Sequence, residues 1–421
     1  MKRTCICIDL KSFYASVECV ERGLDPFETN LVVADPTRSK STICLAISPA
    51  LKKLGVKKAS RMHELPPGIS YITAMPRMQL YIDYSSMIYG IYLRYLAPED
   101  IHVYSIDECF IDATEYLNLY QSEGKDFARL LMKAVMDETG ITATAGVGPN
   151  LYLAKIAMDI VAKHVDDHIG VLDEISFREK LWDHEPLTDF WMIGNGTARR
   201  LAKYGIYTMG DIARASITSE DWLFKLFGMD AELLIDHAWG YESCLMRDIK
   251  SYHTQGHSLS SGQVLMRNYD YEECEVIVRE MTDLLVLDLV RKRLVTDAVT
   301  LYISYDHKFL KPGSRGSVNL GMFTSSTKRI VDATTELYRH IVDHFTGIRR
   351  VNIIFNRVRY EDYHQYDLFT DPVKDEKERS LQHAVIELHD RYGKNSVMKG
   401  SNLYECSNYV ERNQQIGGHR A

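Results

Sequence analysis

Hydrophobic and polar positions change period repeatedly along this chain, and the changes mark its elements. Residues 4–9 form an apolar run closed by Asp9, the pattern of a strand buried on both faces. Residues 12–22 switch to helical spacing, with Phe13, Val17 and Val20 on one face. Short apolar runs at 31–34 and 42–47 predict two more strands, and 49–55 a helical turn or two ended by Gly55. A Tyr-rich helix is predicted over 77–96, a hairpin over 101–112, a helix over 125–139, a strand over 142–147 and a helix over 151–164. Strands alternating with helices in this way predict an α/β or α+β core. From 168 to 240 the pattern is purely helical, in short segments. A strand at 257–267, a helix at 270–293, strands at 298–305 and 316–324, a helix at 328–346 and a strand at 350–359 then follow. That β-α-β-β-α-β order predicts a four-stranded sheet with helices on one face. Beyond 360 the pattern fades, except for a helix predicted over 380–391.

Two acidic segments interrupt this patterning where strands end. The first runs Cys5-Ile6-Cys7-Ile8-Asp9-Leu10-Lys11-Ser12-Phe13-Tyr14, and the second Val103-Tyr104-Ser105-Ile106-Asp107-Glu108-Cys109-Phe110. Turns between strands favour Asn-Gly, Asp-Gly or Gly-X for their backbone angles, and Asp-Glu meets none of those needs. Like charges at a strand junction call for something positive between them. Three carboxylates at strand ends suit a pair of hard divalent cations, which at about 3.5–4 Å apart clamp both oxygens of an in-line phosphoryl displacement. Acidic residues at strand ends are more commonly just solvated, so either segment alone would carry little.

Composition narrows the class without naming it. The chain has 421 residues, 45% hydrophobic and 26% charged, enough for two to four cored domains. The absence of any run of 18 apolar residues argues against a membrane span, and the strand pattern from residue 4 argues against a signal peptide. Eight scattered cysteines without a CxxC predict reduced, buried thiols in a cytoplasmic protein rather than a zinc site. The net charge of −8 speaks mildly against nucleic acid. Local charge matters more than the sum, however, and residues 245–360 hold 17 Lys and Arg against 13 Asp and Glu. Part of that charge is clustered, at Arg291-Lys292-Arg293, Lys328-Arg329 and Arg349-Arg350.

Taken together, "IDLKSFYASVE" at 8–18 and "YSIDECFID" at 104–112 resemble the Y-family, or translesion, DNA polymerases, and among them the UmuC-like bacterial branch. The resemblance extends over nearly the whole chain. It implies an α+β multidomain fold shaped as a right hand. The palm would be 1–19 and 76–167, small fingers 20–75, a helical thumb with a helix-hairpin-helix 168–240, and a linker 241–256. A βαββαβ little finger would follow at 257–360, then a C-terminal tail at 361–421. It also implies two Mg2+ ions, which Mn2+ can replace, held by Asp9, Asp107, Glu108 and the carbonyl of Leu10. Tyr14 would be the steric gate that leaves no room for a ribose 2′-hydroxyl. Phe13, Tyr14, Lys52 and Lys155 would face the incoming nucleotide. Lys155 stands in an otherwise apolar helical stretch, where a lysine needs an anionic partner. Lys52 occupies a position that is Arg in many members, and Pro49 stands where many carry Tyr.

The resemblance also assigns partners. Gly194, Gly196, Thr197 and Arg199, in Ile193-Gly194-Asn195-Gly196-Thr197-Ala198-Arg199, would hold a phosphate of primer-template DNA with backbone N–H groups. Gln365-Tyr366-Asp367-Leu368-Phe369 resembles the peptide by which bacterial polymerases dock on the β sliding clamp, with Gln365, Leu368 and Phe369 as its contacts. Deoxynucleoside triphosphates would be the substrates, and an accessory dimer of UmuD type is a further partner in this branch. The expected activity is low-fidelity, templated DNA synthesis in damage tolerance. Two rivals have different chemistry. A catalytically silent DNA- and clamp-binding accessory protein would lack one of Asp9, Asp107 and Glu108. A palm-type nucleotide cyclase would have no use for a basic C-terminal domain or a clamp peptide.

Overall fold

A computed structural model describes residues 3–38, 41–252, 256–362 and 371–421. The chain forms two compact units, residues 1–253 and 254–421.

The first unit opens with β1 (Cys5–Leu10), an apolar strand, and α1 (Phe13–Val20). A small sheet follows, β2 (Leu31–Val33), β3 (Ala46–Ile47) and, after α2 (Pro49–Lys53), β4 (Ile72–Ala74), in the order β3-β2-β4. The strand expected over 42–47 shrinks to two residues, because β2 offers β3 only Val32 and Val33 as partners. Next come α3 (Met78–Tyr92), β5 (Ile101–Val103), β6 (Glu108–Asp112), α4 (Tyr116–Leu119), α5 (Gly124–Thr139), β7 (Ala143–Gly148) and α6 (Leu151–Ile156). The helix expected over 151–164 is not uniform. Past Ile156 it widens into a π turn over Ala157–Val161 and closes as a 3₁₀ turn over Ala162–His164.

A strand, β8 (Ile169–Val171), lies where only helices were expected. It pairs parallel with β7, completing a five-stranded sheet in the order β5-β6-β1-β7-β8, so the sheet runs past residue 167. Three residues are too few to show a period of two in the sequence. Glycine sets the distance between this sheet and the helix on it. A Cβ at Gly146 would lie 2.0 Å from the carbonyl oxygen of Ala154, and one at Gly170 2.1 Å from that of Ala157. The helical segment α7 (Glu174–Leu181), α8 (Asn195–Ala202), α9 (Met209–Phe227) and α10 (Asp230–Trp239) buries a core around Phe177, Phe190, Leu201 and Leu223 that continues into Tyr152, Leu153 and Ile156 of α6. Within the expected linker, α11 (Met246–Ser251) packs on the first sheet instead. Met246 is buried with Cys5, Cys7 and Phe110, because an apolar side chain there gains more from the core than from water.

The second unit runs β9 (Ser258–Tyr269), α12 (Tyr271–Arg291), β10 (Leu294–Tyr305), β11 (Ser314–Thr324), α13 (Thr327–Ile341) and β12 (Ile348–Asn356). Its antiparallel sheet has the order β11-β10-β12-β9, with α12 and α13 packed on one face. Asp270 caps α12 by accepting from the Glu273 N–H, and the Glu273 carboxylate accepts from the Asp270 N–H, which fixes where strand gives way to helix. The tail is more ordered than its composition suggests. Helix α14 (Pro372–Tyr392) starts eight residues before its expected position, with Asp371 accepting from the Val373 and Lys374 N–H groups. It packs on the helix layer through Ile386 and through Gln382, which donates to the Ser325 carbonyl at 2.8 Å. All eight cysteines are free thiols. No described helix is long and apolar enough to cross a membrane.

Candidate active site

The central strand of the first sheet brings the acidic residues together. In the antiparallel register Asp9 stands directly opposite Glu108, and the Leu10 N–H donates to the Asp107 carbonyl at 2.9 Å. Residues separated by about a hundred positions therefore meet at one end of two paired strands. Asp107 lies in the bend just before β6, where its carboxylate accepts from the Ser105 hydroxyl at 2.7 Å. Burial pushes the Asp9 carboxyl up to about 7, with Asp107 and Glu108 adding to the shift, while Lys58 and Lys155 oppose it. This is the electrostatic signature of carboxylates crowded without enough positive charge.

Lys155 is paired with carboxylates of its own chain. It is 7% exposed, and its ammonium lies 2.8 Å from Glu108 and 3.1 Å from Asp159. Burial works against the charge, but Asp159 and Glu108 more than offset it and raise its pKa. The anionic partner it needed is a carboxylate of its own chain. Among the described residues no three acidic, imidazole or thiol groups are yet gathered as a metal-ligand set. Glu108 is turned to Lys155, and Asp107 to Ser105. The donors themselves are hard oxygens in excess negative charge, which fits magnesium in chemistry.

Positive charge collects nearby from several elements. Lys11 follows β1, and its pKa is lowered to about 8 by burial and by Lys52. Lys52, on α2, is lowered by burial, Lys58 and Lys163, with Asp9 opposing. Lysines that depress one another need an anion. Lys52 was expected here; Lys11, Lys58 and Lys163 were not. The run Lys52-Lys53…Lys57-Lys58 was a readable sign, whereas Lys163 was hidden by the π turn, which shifts the helical phase after Lys155. Ser12, at φ 50°, turns the chain sharply before α1, and its hydroxyl is buried without a partner among the described residues.

Tyr14 is half-buried, stacked on Tyr81 with ring centroids 4.3 Å apart and planes 14° apart. Burial and the neighbouring Asp107 raise its pKa, so the ring lies within the field of the carboxylates. Phe13, expected beside the nucleotide, is 3% exposed and packs in the core with its ring tilted 5.8 Å from Tyr14. Its apolar ring gains from that burial.

Gly194 caps α8, and Gly196 lies in its first turn, both exposed. A Cβ at either would meet nothing within 4 Å, so the glycines leave backbone open for close approach rather than relieving a clash. Thr197 lies in the same turn, and Arg199 is exposed, its Nε donating to the Asn195 carbonyl at 3.0 Å. The element before the glycines is only a 3₁₀ turn, Leu187–Asp189, not a helix. In the second unit the sheet face away from α12 and α13 holds a cleft of about 530 Å3. Ser260, Gly262, Thr300, Tyr302, Arg315 and Asn352 line it. The peptide Gln365-Tyr366-Asp367-Leu368-Phe369 lies outside the described residues.

Comparison with known proteins gives this arrangement its relatives. Residues 8–159 match the model of the impB/mucB/samB family, and residues 257–368 the model of that family's C-terminal domain. The putative UV-damage repair protein UvrX of Bacillus subtilis is 29% identical over 423 residues, covering 100% of this chain and 98% of UvrX. DNA polymerase IV 2 of the same organism is 28% identical, covering 98% of this chain and 97% of its own. The DNA repair protein homolog YozK, also from Bacillus subtilis, is 41% identical over 103 residues, 24% of this chain and 90% of YozK. Among solved structures, a Y-family DNA polymerase chimera of Dbh and Dpo4 superposes with a TM-score of 0.65 at 21% identity. The match covers 85% of this chain and 99% of the chimera. The chain belongs to the Y-family DNA polymerases, and its fold is the palm, fingers, thumb and little finger of that family.

Proposed function

We propose that this DNA-directed DNA polymerase copies damaged templates at low fidelity, by two-metal nucleotidyl transfer at Asp9, Asp107 and Glu108. The observation that carries the reading is the register pairing of Asp9 with Glu108, with Asp107 beside them and mutually repelling lysines near Asp9. Two magnesium ions, when bound, would activate the primer 3′-oxygen and neutralise charge on the α-phosphoryl and pyrophosphate groups. Asp9 and Asp107 would hold both, Glu108 the one nearer the primer, and the Leu10 carbonyl would add a ligand.

The chain's own residues do the positioning. Lys11, Lys52, Lys58 and Lys163 hold the triphosphate, aided by the free N–H groups at the start of α1. Lys155 holds Glu108 in place until a cation arrives, and is then free to meet the triphosphate as the sequence led us to expect. Tyr14 excludes the 2′-hydroxyl by shape. The turn at Gly194 and Gly196, with Thr197 and Arg199, takes a DNA phosphate, and the polar open face of the little-finger sheet grips the duplex backbone. Gln365, Leu368 and Phe369 dock on the β sliding clamp. Tethering raises the local concentration of polymerase at the primer without altering the chemistry. An accessory subunit of UmuD type completes the expected partners, and the protein works in the cytoplasm.

The fingers, roughly 20–75, are short for closing over a base pair, which supports a permissive site. Primer extension with purified protein and Mg2+, on intact and lesion-bearing templates, tests the proposal. Extension past the lesion with frequent misinsertion is expected. Protein that binds primer-template but extends neither template would point to the silent accessory protein instead.

A further inference from the structure

We infer that Tyr81, on α3, is a positioning residue that fixes the ring of Tyr14 and so sets the discrimination between deoxyribo- and ribonucleotides. The inference rests on the reading of Tyr14 as the steric gate.

A gate that works by shape fails if its ring can swing aside. Tyr14 stands at the second position of α1 and is half-buried, where a tyrosine ordinarily has more than one staggered rotamer. One face of its ring is covered by Tyr81, nearly parallel at 4.3 Å between centroids. Tyr81 is itself 0% exposed and cannot give way. Its hydroxyl donates to Glu18 at 2.8 Å, and Glu18 is also 0% exposed.

Glu18 lies four residues after Tyr14, one turn further along the same helix face. A buried carboxylate needs full compensation, and this one has it. Arg77 donates Nε to one oxygen at 2.9 Å and Nη2 to the other at 2.8 Å, a two-pronged grip. Arg22 adds a hydrogen bond to the second oxygen. Burial pulls the Glu18 carboxyl up, yet the bonds from Arg77, Arg22 and Tyr81 bring it below its ordinary value, so it stays ionised. The result is a closed loop from α1 to α3 and back: Tyr14 on Tyr81, Tyr81 on Glu18, Glu18 in the helix of Tyr14. None of Tyr81, Glu18 and Arg77 belongs to the carboxylate or lysine groups of the site, so the loop can affect sugar choice without touching the chemistry.

The test is single-nucleotide incorporation of dNTP and rNTP by full-length Tyr81→Leu, Tyr81→Phe, Tyr14→Ala and the Tyr14→Ala/Tyr81→Leu double variant. Tyr81→Leu should lose at least about tenfold of its preference for dNTP, through higher kcat/KM for rNTP, with kcat/KM for dNTP within about threefold. Tyr81→Phe keeps the stacked ring and loses the bond to Glu18, so a smaller loss of about two- to fourfold is expected even if the leucine variant does not fold. In the Tyr14→Ala background, Tyr81→Leu should change the preference no further, because Tyr81 acts only through Tyr14. Discrimination lost in Tyr14→Ala yet intact in both single Tyr81 variants would overturn the platform alone. Discrimination intact in Tyr14→Ala would overturn the gate reading, and the platform with it. An additive loss in the double variant would show that Tyr81 acts independently of Tyr14.

Discussion

In the first unit, a mixed sheet gathers its function at one end of two antiparallel strands, where Asp9 faces Glu108 across a single register pair. In the second unit, an antiparallel sheet spreads its polar groups over an open face, from Ser260 and Gly262 on β9 to Arg315 on β11. In the first arrangement burial, with the like charges of Asp107 and Glu108, pushes the Asp9 carboxyl up to about 7. The second distributes hydroxyls, one amide and one guanidinium over a cleft of about 530 Å3. A point site depends on each of its groups, whereas a surface loses its grip by degrees. Chemistry and holding are thus divided between two sheets with different tolerance of change.

The contrast is broken most sharply at the point site. Asp107→Ala with Glu108→Ala should reduce primer extension by at least about a thousandfold, which is some 4 kcal/mol of lost transition-state stabilisation. The single variants separate two roles in a melting experiment. Asp107→Ala should hold or raise the melting temperature, because it relieves repulsion on Asp9. Glu108→Ala should lower stability by about 1–3 kcal/mol, because the buried Lys155 keeps only Asp159. Extension at near wild-type rate by the double variant would remove these carboxylates from the active site.

Tyr14→Ala comes next, with ribonucleotide incorporation rising on the order of tenfold, about 1.4 kcal/mol of lost discrimination. Unchanged preference would reduce Tyr14 to a stacked aromatic. On the distributed surface, Arg315→Ala should weaken primer-template binding severalfold and reduce the salt slope of log K by about one, leaving kcat for bound DNA intact. A thousandfold loss there would mean that the open face is itself a point site.

The smallest effect concerns protons and metal. The folded-state pKa of Asp9 is raised to about 7, so the folded protein holds this proton more tightly than the unfolded chain. This group's contribution to stability is full below about pH 4 and is lost as pH rises through about 7. In chelator, the melting temperature should therefore fall between pH 6 and pH 8 by about 2–4 °C, on the order of 1 kcal/mol. Asp9→Asn should flatten that change, and Mg2+ at pH 8 should recover it for the wild type. A Mg2+ effect undiminished in Asp9→Asn would place the cation elsewhere.

How much of this was readable in the sequence depended on length scale. The β-α-β-β-α-β order of the second unit was plain, because its strands of nine to twelve residues each carry several alternations. The three-residue β8 and two-residue β3 were not, since their pairing is decided by neighbours far along the chain. Asp9, Asp107 and Glu108 could be marked from their position at strand ends, but not the turn of Glu108 toward Lys155. That contact joins β6 to α6, and no local pattern carries it. Tyr81 was one tyrosine in a Tyr-rich helix, indistinguishable from its neighbours until the stacking was seen.

The π turn over Ala157–Val161 makes part of this site depend on backbone hydrogen-bond spacing rather than on its functional side chains. Each residue of an α-helix advances the chain by about 100° around the axis. A π turn holds one residue more per hydrogen-bonded loop than an α turn. Tightening it to ordinary helical spacing with every residue kept would rotate everything after it by about that angle, carrying Lys163 away from Lys52 while Lys155 kept its hold on Glu108. Every functional side chain would survive in the sequence, and only the triphosphate grip would suffer. A substitution that tightens this turn therefore belongs with active-site changes, although it removes no active-site residue.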